Sequence, residues 1–264
     1  MASNRFYKTE GVVLQSSPFQ ESGLLVTIFT LEHGKIRAVA PGARRSRSKM
    51  VGHLEPLTKT ELILTRSRSG NMDTITQAQA KNAFRMLKSN LDAISHGLYV
   101  GELVKEFGSE ANPNKPLYNL MIDTLSLLSE NYPAHLILRY FELHLLRTSG
   151  FMPELFKCVE CREQLLPGKH FFCPIAGGTL CQYCRPRNVQ IINLSLSTLK
   201  VLRFIYRTTS QQFLKLHLDK SVLSELKNLL SLTIKLWLEK EIRSNKFIDH
   251  LELNSRNTVC VENL

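Results

Sequence analysis

Two pairs of cysteines are the residues of this sequence whose types and spacing predict a specific chemistry. Each pair has the form Cys-x-x-Cys, at Cys158/Cys161 and Cys181/Cys184, and nineteen residues separate Cys161 from Cys181. A two-residue gap lets a tight turn direct two thiolates at one point, and a second turn supplies the other two. Four thiolates fill the coordination sphere of a zinc ion and leave no position for a catalytic water. The spacing therefore predicts one structural zinc ion held by these four cysteines.

Other uses of paired cysteines are a disulfide framework and a redox motif. A disulfide framework suits a secreted chain, but we expect no signal peptide from Met1-Ala2-Ser3-Asn4-Arg5. A thioredoxin-type motif uses one Cys-x-x-Cys at a strand-to-helix junction, whereas here two pairs flank a turn-rich insert. Cys173 and His170 lie between the pairs and stay open as replacement ligands. We interpret Cys173 as a spare thiol because it has no partner at the same spacing.

The insert between the two cysteine pairs predicts a small hairpin over residues 171–178. A hairpin of this size buries little apolar surface, so a bound ion would have to replace a hydrophobic core. The sequence thus predicts a zinc-binding module over residues 155–188 with an architectural role.

The net charge of the chain indicates a polyanionic partner. The 264 residues carry a formal charge of +11, with an isoelectric point near 9.5. An excess of this size attracts nucleic acid, although a solvated basic surface without a function would have the same composition. The position of the charges decides between these two interpretations. We also expect no membrane span, because the sequence has no run of eighteen apolar residues.

Residues 1–80 predict β-structure, with short apolar runs separated by turn residues such as Gly34 and Ser69-Gly70-Asn71. Five short strands in a segment of this length are typical of a small closed barrel, and the OB-fold is the five-stranded choice. A fragment of a β-sandwich is the alternative that the periodicity leaves open. The predicted strands cover Tyr7–Gln15, Leu24–Leu31, Lys35–Ala40, Pro56–Leu64 and Asp73–Ala80.

Basic residues concentrate on this predicted barrel. Between His33 and Gly70 there are nine lysines and arginines but only two glutamates, so the segment carries +7 of the total charge. The stretch Pro41–Lys49 predicts a flexible basic loop whose long side chains can follow a phosphate backbone without reading bases. Aromatic residues are not interleaved with these cations, and Phe29 is a predicted core residue. We therefore expect backbone contacts, weak sequence preference and strong dependence on salt.

From Asn82 onward the apolar residues recur with a helical period. We predict a helical bundle over residues 81–154 and 189–245, with the zinc module inserted between its third and fourth helices, and a polar tail over 246–264. The first helix is expected to run from Asn82 to about Phe107, with Leu91 and Leu98 on its buried stripe. No phosphate-binding loop, zinc protease motif or serine hydrolase motif is present, so the sequence favours binding over catalysis.

A basic barrel followed by helices and an inserted four-cysteine module resembles the bacterial RecO family of recombination mediators. Arg162 stands where a glycine often follows the second cysteine of that family. The resemblance is carried by Glu10–Leu14, Glu21-Ser22, Phe29–Lys35, Ala40–Lys49, Tyr99–Leu103, Phe141–Leu146, Gly150–Pro153 and Cys158–Cys184.

The resemblance implies an α+β multidomain DNA repair protein of the cytoplasm that associates with the nucleoid. It would bind single- and double-stranded DNA, anneal complementary strands, and help RecR and the single-stranded DNA-binding protein to load RecA. None of these steps needs an enzyme. We assign the phosphate contacts to Arg37, Arg44, Arg45, Arg47, Lys49, Arg66 and Arg68. An RNA-binding or transcription-associated zinc protein, and an enzyme with an unrecognised site, are the competing interpretations.

Overall fold

The computed structural model describes residues 5–67, 72–130, 132–184, 189–244 and 248. Contacts between Cα atoms divide the chain into two compact units. The first unit comprises Met1–Glu130 with Ser244–Leu264, and the second comprises Asn131–Arg243. The predicted turn Ser69-Gly70-Asn71 and nearly all of the predicted tail lie outside the described residues.

The first unit begins with a five-stranded closed barrel. Its strand order is β1-β2-β3-β5-β4, and every neighbouring pair is antiparallel except β3 and β5. The closed barrel predicted from residues 1–80 is confirmed. The strands are β1 (Phe6–Phe19), β2 (Gly23–Thr30), β3 (Gly34–Ala40), β4 (Lys59–Thr65) and β5 (Asp73–Asn82).

Strand β1 closes the barrel because it pairs with β4 along its first half and with β2 along its second half. The register with β2 shifts between Val13 and Gln15, which is the signature of a β-bulge. A bulge bends a strand and increases its twist, so one strand can leave one neighbour and join another. Alternate residues then point inward, as in β3, where Ala38 and Ala40 are buried and Arg37 is exposed.

A glycine is required at the turn between β2 and β3. Gly34 has a φ of +64°, and a Cβ atom at this position would lie 2.2 Å from the main-chain oxygen of Asn112. The neighbouring residue Lys35 exchanges main-chain hydrogen bonds with Ser109 and Ala111. The turn is therefore held directly against the segment that links the second and third helices.

Three helices complete the described part of the first unit: α1 (Arg85–Lys88), α2 (Leu91–Phe107) and α3 (Lys115–Ser129). The single helix predicted from Asn82 is wrong, because Asn90 accepts hydrogen bonds from the next turn and starts α2 as an N-cap. Leu91 and Leu98, predicted to be buried, are exposed. Tyr118 of α3 donates a hydrogen bond to Glu10 of β1, and α2 also contacts β1.

The second unit contains four helices and a small sheet among its described residues. The sheet has the order β7-β6-β8, with β6 (His170–Cys173) in the centre between β7 (Gly178–Leu180) and β8 (Ile192–Leu194). The helices are α4 (Ala134–Thr148), α5 (Leu196–Arg207), α6 (Ser210–Phe213) and α7 (Lys220–Leu238).

The grouping of helices differs from the single bundle predicted for residues 81–154 and 189–245. Helices α1 to α3 pack with one another and with the barrel, whereas α4 packs on α5, α6 and α7. A helical period identifies an apolar stripe, but it does not show which other stripe or strand will cover it. Among the described residues, no helix is both long and apolar enough to span a membrane.

Candidate nucleic-acid interface and metal centre

The loop after β3, residues 41–49, presents most of the predicted phosphate-binding side chains. Ala43 is buried in the barrel core, and the main-chain N–H of Arg44 donates to the carbonyl oxygen of Ser22 at 2.9 Å. Successive turns follow, in which the N–H of Arg45 bonds to Gly42 and that of Ser48 bonds to Arg45. The sequence predicts a flexible loop, but the described backbone is anchored at its base and organised by turns. The exposed basic side chains of the loop are those of Arg44, Arg45, Arg47 and Lys49.

The strand register shows where Arg66 lies relative to this loop. Val39 at the end of β3 pairs with Thr74, and Thr74 pairs with Thr65 at the end of β4. The chain leaves both strands at the same end of the barrel, and Arg66 is exposed directly after β4. We call this end, with Arg44, Arg45, Arg47, Lys49 and Arg66, the basic end of the barrel.

One of the assigned phosphate contacts, Arg37, is not part of the basic end. Arg37 is exposed on the outer face of β3, where it lines a cleft of about 300 Å³. Lys105 of α2 lines the same cleft and donates to the side chain of Gln15 at 2.8 Å. Sequence reasoning missed Lys105, since it follows β3 by more than sixty residues and no local pattern links the two. Arg68 lies outside the described residues.

An aromatic ring accompanies the basic end, although the sequence shows no aromatic residue inside the loop. The guanidinium carbon of Arg66 lies 5.2 Å from the centroid of the Tyr7 ring. The hydroxyl of Tyr7 donates to Asp73 at 2.6 Å, and the N–H of Ser67 donates to the same carboxylate. Burial, and then the hydrogen bond to Asp73, raise the pKa of Tyr7 above its usual range. The tyrosine thus stays neutral and holds Arg66 by a cation–π contact.

The four cysteines of the two pairs converge on one point in the second unit. All four Sγ atoms lie within 4.8 Å of one another, and those of Cys161 and Cys181 are 4.0 Å apart. Tetrahedral coordination with Zn–S bonds of about 2.3 Å places sulfurs about 3.8 Å apart. The arrangement can therefore hold a metal ion with four thiolate ligands, namely Cys158, Cys161, Cys181 and Cys184.

Backbone donors prepare the first cysteine as a ligand. The N–H of Cys181 donates to Cys158 Sγ at 3.4 Å. Burial raises the pKa of Cys158, but main-chain donors from Cys181, Cys161 and Glu160 outweigh it and lower the pKa to about 7. A thiol in such a setting is readily present as the thiolate that binds metals.

The turn after Cys161 puts Arg162 in a backbone conformation that glycine adopts most readily. Arg162 has a φ of +64°, in the left-handed region that glycine adopts without a steric penalty. Its N–H still donates to the carbonyl oxygen of Cys158 at 2.9 Å, which closes the turn. The chain therefore keeps the turn geometry with arginine in place of glycine.

Cys173 and His170 are not part of the thiol cluster. Cys173 is buried in the module core with Phe171 and Leu180, and His170 Nε2 lies 2.9 Å from the carbonyl oxygen of Leu166. The predicted hairpin is present as β6 and β7, and the hydrophobic cluster beside the thiols contains four buried residues. A core this small agrees with the prediction that a bound ion contributes to its stability.

Comparison with known proteins gives the same result for both units. The family model described as Recombination protein O N terminal matches residues 1–84, and Recombination protein O C terminal matches residues 88–246. A DNA repair protein RecO from Dehalococcoides mccartyi is 32% identical over 246 residues, covering 93% of this chain and 96% of that protein. The protein of that name from Desulforamulus reducens is 32% identical over 247 residues, with coverage of 94% and 95%.

Proposed function

Because the chain belongs to the Recombination protein O family, we propose that it is a DNA repair and recombination mediator that binds DNA at the basic end of its barrel. The observation that carries this proposal is the convergence of the 41–49 loop and Arg66 at one end of the barrel. Exposed arginines on an anchored loop follow a phosphate backbone without selecting a base sequence.

The barrel is proposed to be of the OB type. Its closed five-stranded order, β1-β2-β3-β5-β4, supports this assignment, as does the single parallel pair between β3 and β5. OB-folds bind single strands through their loops and the adjacent strand face, and both surfaces carry cations in this chain. Arg37 on the strand face, and Arg68, which follows β4 in the sequence, are proposed further contacts.

The proposed activity is annealing of complementary strands. Neutralised phosphates repel each other less, and two strands held by one protein have a higher local concentration, so base pairing completes the reaction without covalent chemistry. Family membership supports partnership with RecR and with the single-stranded DNA-binding protein, and assistance in loading RecA. On this proposal the chain is a non-enzymatic mediator that acts on the nucleoid in the cytoplasm.

The cysteine cluster is proposed to hold one zinc ion with a structural role. The donor set supports zinc, since four thiolates in tetrahedral reach of one another form a common closed zinc site. Metal analysis of the purified chain should give about one zinc ion per molecule.

The test of the proposed function is annealing of complementary DNA coated by its cognate single-strand binding protein. We expect Arg44→Gln, Arg45→Gln and Arg47→Gln together to weaken DNA binding for all base sequences. The slope of log affinity against log salt concentration should become shallower by about 2, because each single-strand phosphate contact contributes roughly 0.7.

A control variant of equal charge separates a local effect from a general one. Lys8→Gln, Lys81→Gln and Lys115→Gln change three exposed side chains of the same unit that are not part of the basic end. This control should reduce the affinity much less than the arginine variant. Equal losses of DNA affinity in both variants would show that the DNA site is not the basic end. A clear preference for RNA over DNA in competition would contradict the DNA repair role.

A further inference from the structure

Three arginines of the second unit stack on two aromatic rings. The guanidinium carbons of Arg203 and Arg207 lie 5.2 and 4.9 Å from the centroid of the Phe156 ring. That of Arg147 lies 4.8 Å from the Tyr206 ring, and the two rings meet edge to face at 5.6 Å. We call these five residues the arginine cluster.

Hydrogen bonds to the main chain fix two of the three guanidinium groups. Arg203 Nε donates to the carbonyl oxygen of Leu155 at 2.8 Å, and Arg147 Nη1 donates to that of Tyr206 at 3.2 Å. Arg147 and Arg207 are nevertheless exposed, so their side chains reach solvent. Stacked and hydrogen-bonded arginines lose little further conformational freedom when they bind an anion.

The arginine cluster places like charges close together. Arg203 and Arg207 are one helical turn apart on α5, and such pairs repel each other. Burial and then the charge of Arg207 lower the pKa of Arg203, and Glu154 opposes this only in part. Among the described residues, none of the three arginines forms an ion pair with a carboxylate. An incoming anion would therefore relieve the repulsion.

The exposed side chains around the arginine cluster extend its positive charge. Lys200 lies on the same face of α5 as Arg203 and Arg207, and Lys157 follows Phe156. Two guanidinium groups lie against the Phe156 ring and one against Tyr206, so little open apolar surface remains for peptide side chains. Planar guanidinium forks suit phosphate groups, which they bind with two hydrogen bonds.

We propose that the arginine cluster binds the sugar-phosphate backbone of a second nucleic-acid strand while the basic end of the barrel binds the first. The inference rests on the proposed annealing function, which requires two strands to be held at once. Each strand then has its own surface on its own compact unit. The first strand is bound by exposed side chains on an anchored loop, and the second by arginines already held against rings.

The experiment measures capture of a second strand by the full chain. One single-stranded oligonucleotide is immobilised and saturated with protein, and a labelled, non-complementary oligonucleotide is then added. Arg147→Gln with Arg207→Gln should reduce capture of the second strand about tenfold, with a salt slope shallower by about 1.4. Affinity for the first strand should change less than about twofold. Arg203 is kept because, unlike the exposed Arg147 and Arg207, it is partly buried, where it holds the Leu155 main chain.

The matched control is Lys215→Gln with Lys220→Gln, which removes the same charge from exposed positions of the same unit. Its second-strand capture should stay within about twofold of the unmodified chain. Arg207→Lys keeps the charge but loses the planar fork, so it should give an intermediate loss.

Equal capture by the arginine variant and its control would overturn the inference while leaving the proposed function intact. Failure of the unmodified chain to bind or anneal DNA would contradict both. An acidic peptide that competes as well as DNA of equal charge would also overturn it. If the double variant does not fold, the inference is tested by cross-linking a photoreactive second strand to the unmodified chain. Cross-links to Tyr206 or Phe156 would support the inference, and their absence would overturn it.

Discussion

The hydrophobic cluster inside the barrel contains ten buried residues, whereas the cluster beside the four cysteines contains four. The barrel core lines the inside of a closed sheet, so every strand has two hydrogen-bonded neighbours and no edge remains. Two of the four buried residues in the cluster beside the thiols are themselves cysteines, Cys158 and Cys173. Burial of apolar surface stabilises the barrel, while on the proposed zinc assignment a bound ion supplies much of the stability of the module.

The same two regions differ in how they present positive charge. In the barrel, Arg44, Arg45 and Arg47 lie exposed on a surface loop, so their removal should leave the core untouched. In the second unit the arginine cluster contributes packing as well as charge, since its guanidinium groups cover aromatic rings. Substitution of a loop arginine in the barrel should therefore change DNA binding without changing stability. Substitution of an arginine in the arginine cluster should change both.

Removal of the metal should have the largest effect on stability. Structural zinc contributes about 10–16 kcal/mol to the folding of small zinc modules, far more than a few buried residues supply. We expect chelation, or Cys161→Ser, to abolish hydrogen-exchange protection of the β6 and β7 amides. The barrel amides serve as the internal control and should stay protected. If the β6 and β7 amides stay protected without metal, the module, like the barrel, is stable without a bound ion.

Truncation of a barrel core residue should come next. Leu62 on β4 is fully buried, and Leu62→Ala should lower the free energy of unfolding by about 2–5 kcal/mol. Its neighbour Ile63 is only partly buried, so Ile63→Ala should cost less than half as much. Denaturant unfolding of both variants measures the difference. Similar losses would mean that the inner face does not dominate the stability of the barrel.

A smaller loss is expected from Gly34→Ala, which tests the contact between the barrel turn and the segment after α2. The positive φ and the collision with the Asn112 main chain should together cost about 1–3 kcal/mol. Gly52→Ala is the control, because Gly52 also has a positive φ but an added Cβ atom would meet nothing within 4 Å. Thermal unfolding should show a smaller loss for Gly52→Ala, and equal losses would assign the whole effect to the turn conformation.

The smallest effect on stability should come from the triple variant Arg44→Gln, Arg45→Gln and Arg47→Gln. These side chains are exposed on the loop, so the free energy of unfolding should change by less than about 0.5 kcal/mol for each. Denaturant midpoints of the variant and the unmodified chain provide the measurement. A large loss of stability would show that the loop supports the barrel, and that weaker DNA binding reflects unfolding.

The order of the amino acids alone was enough to predict the four-cysteine cluster and the strands of the barrel. Two Cys-x-x-Cys pairs act through turns of fixed local geometry, so their spacing was sufficient to predict that four sulfurs meet. Strand positions followed from short apolar runs separated by turn residues such as Gly34. Each of these signals depends only on residues that are close together in the sequence, so it can be recognised without the folded structure.

The way in which distant segments combine became visible only in the folded chain. The period of α2 could not show that the helices before Glu130 join the barrel, because an apolar stripe fits any complementary surface. Tyr7 meets Arg66 only when β1 pairs with β4, and Phe156 meets Arg203 and Arg207 only when the loop packs on α5. Such contacts join residues that are far apart in the sequence, and no short pattern of residues predicts which distant segments will meet.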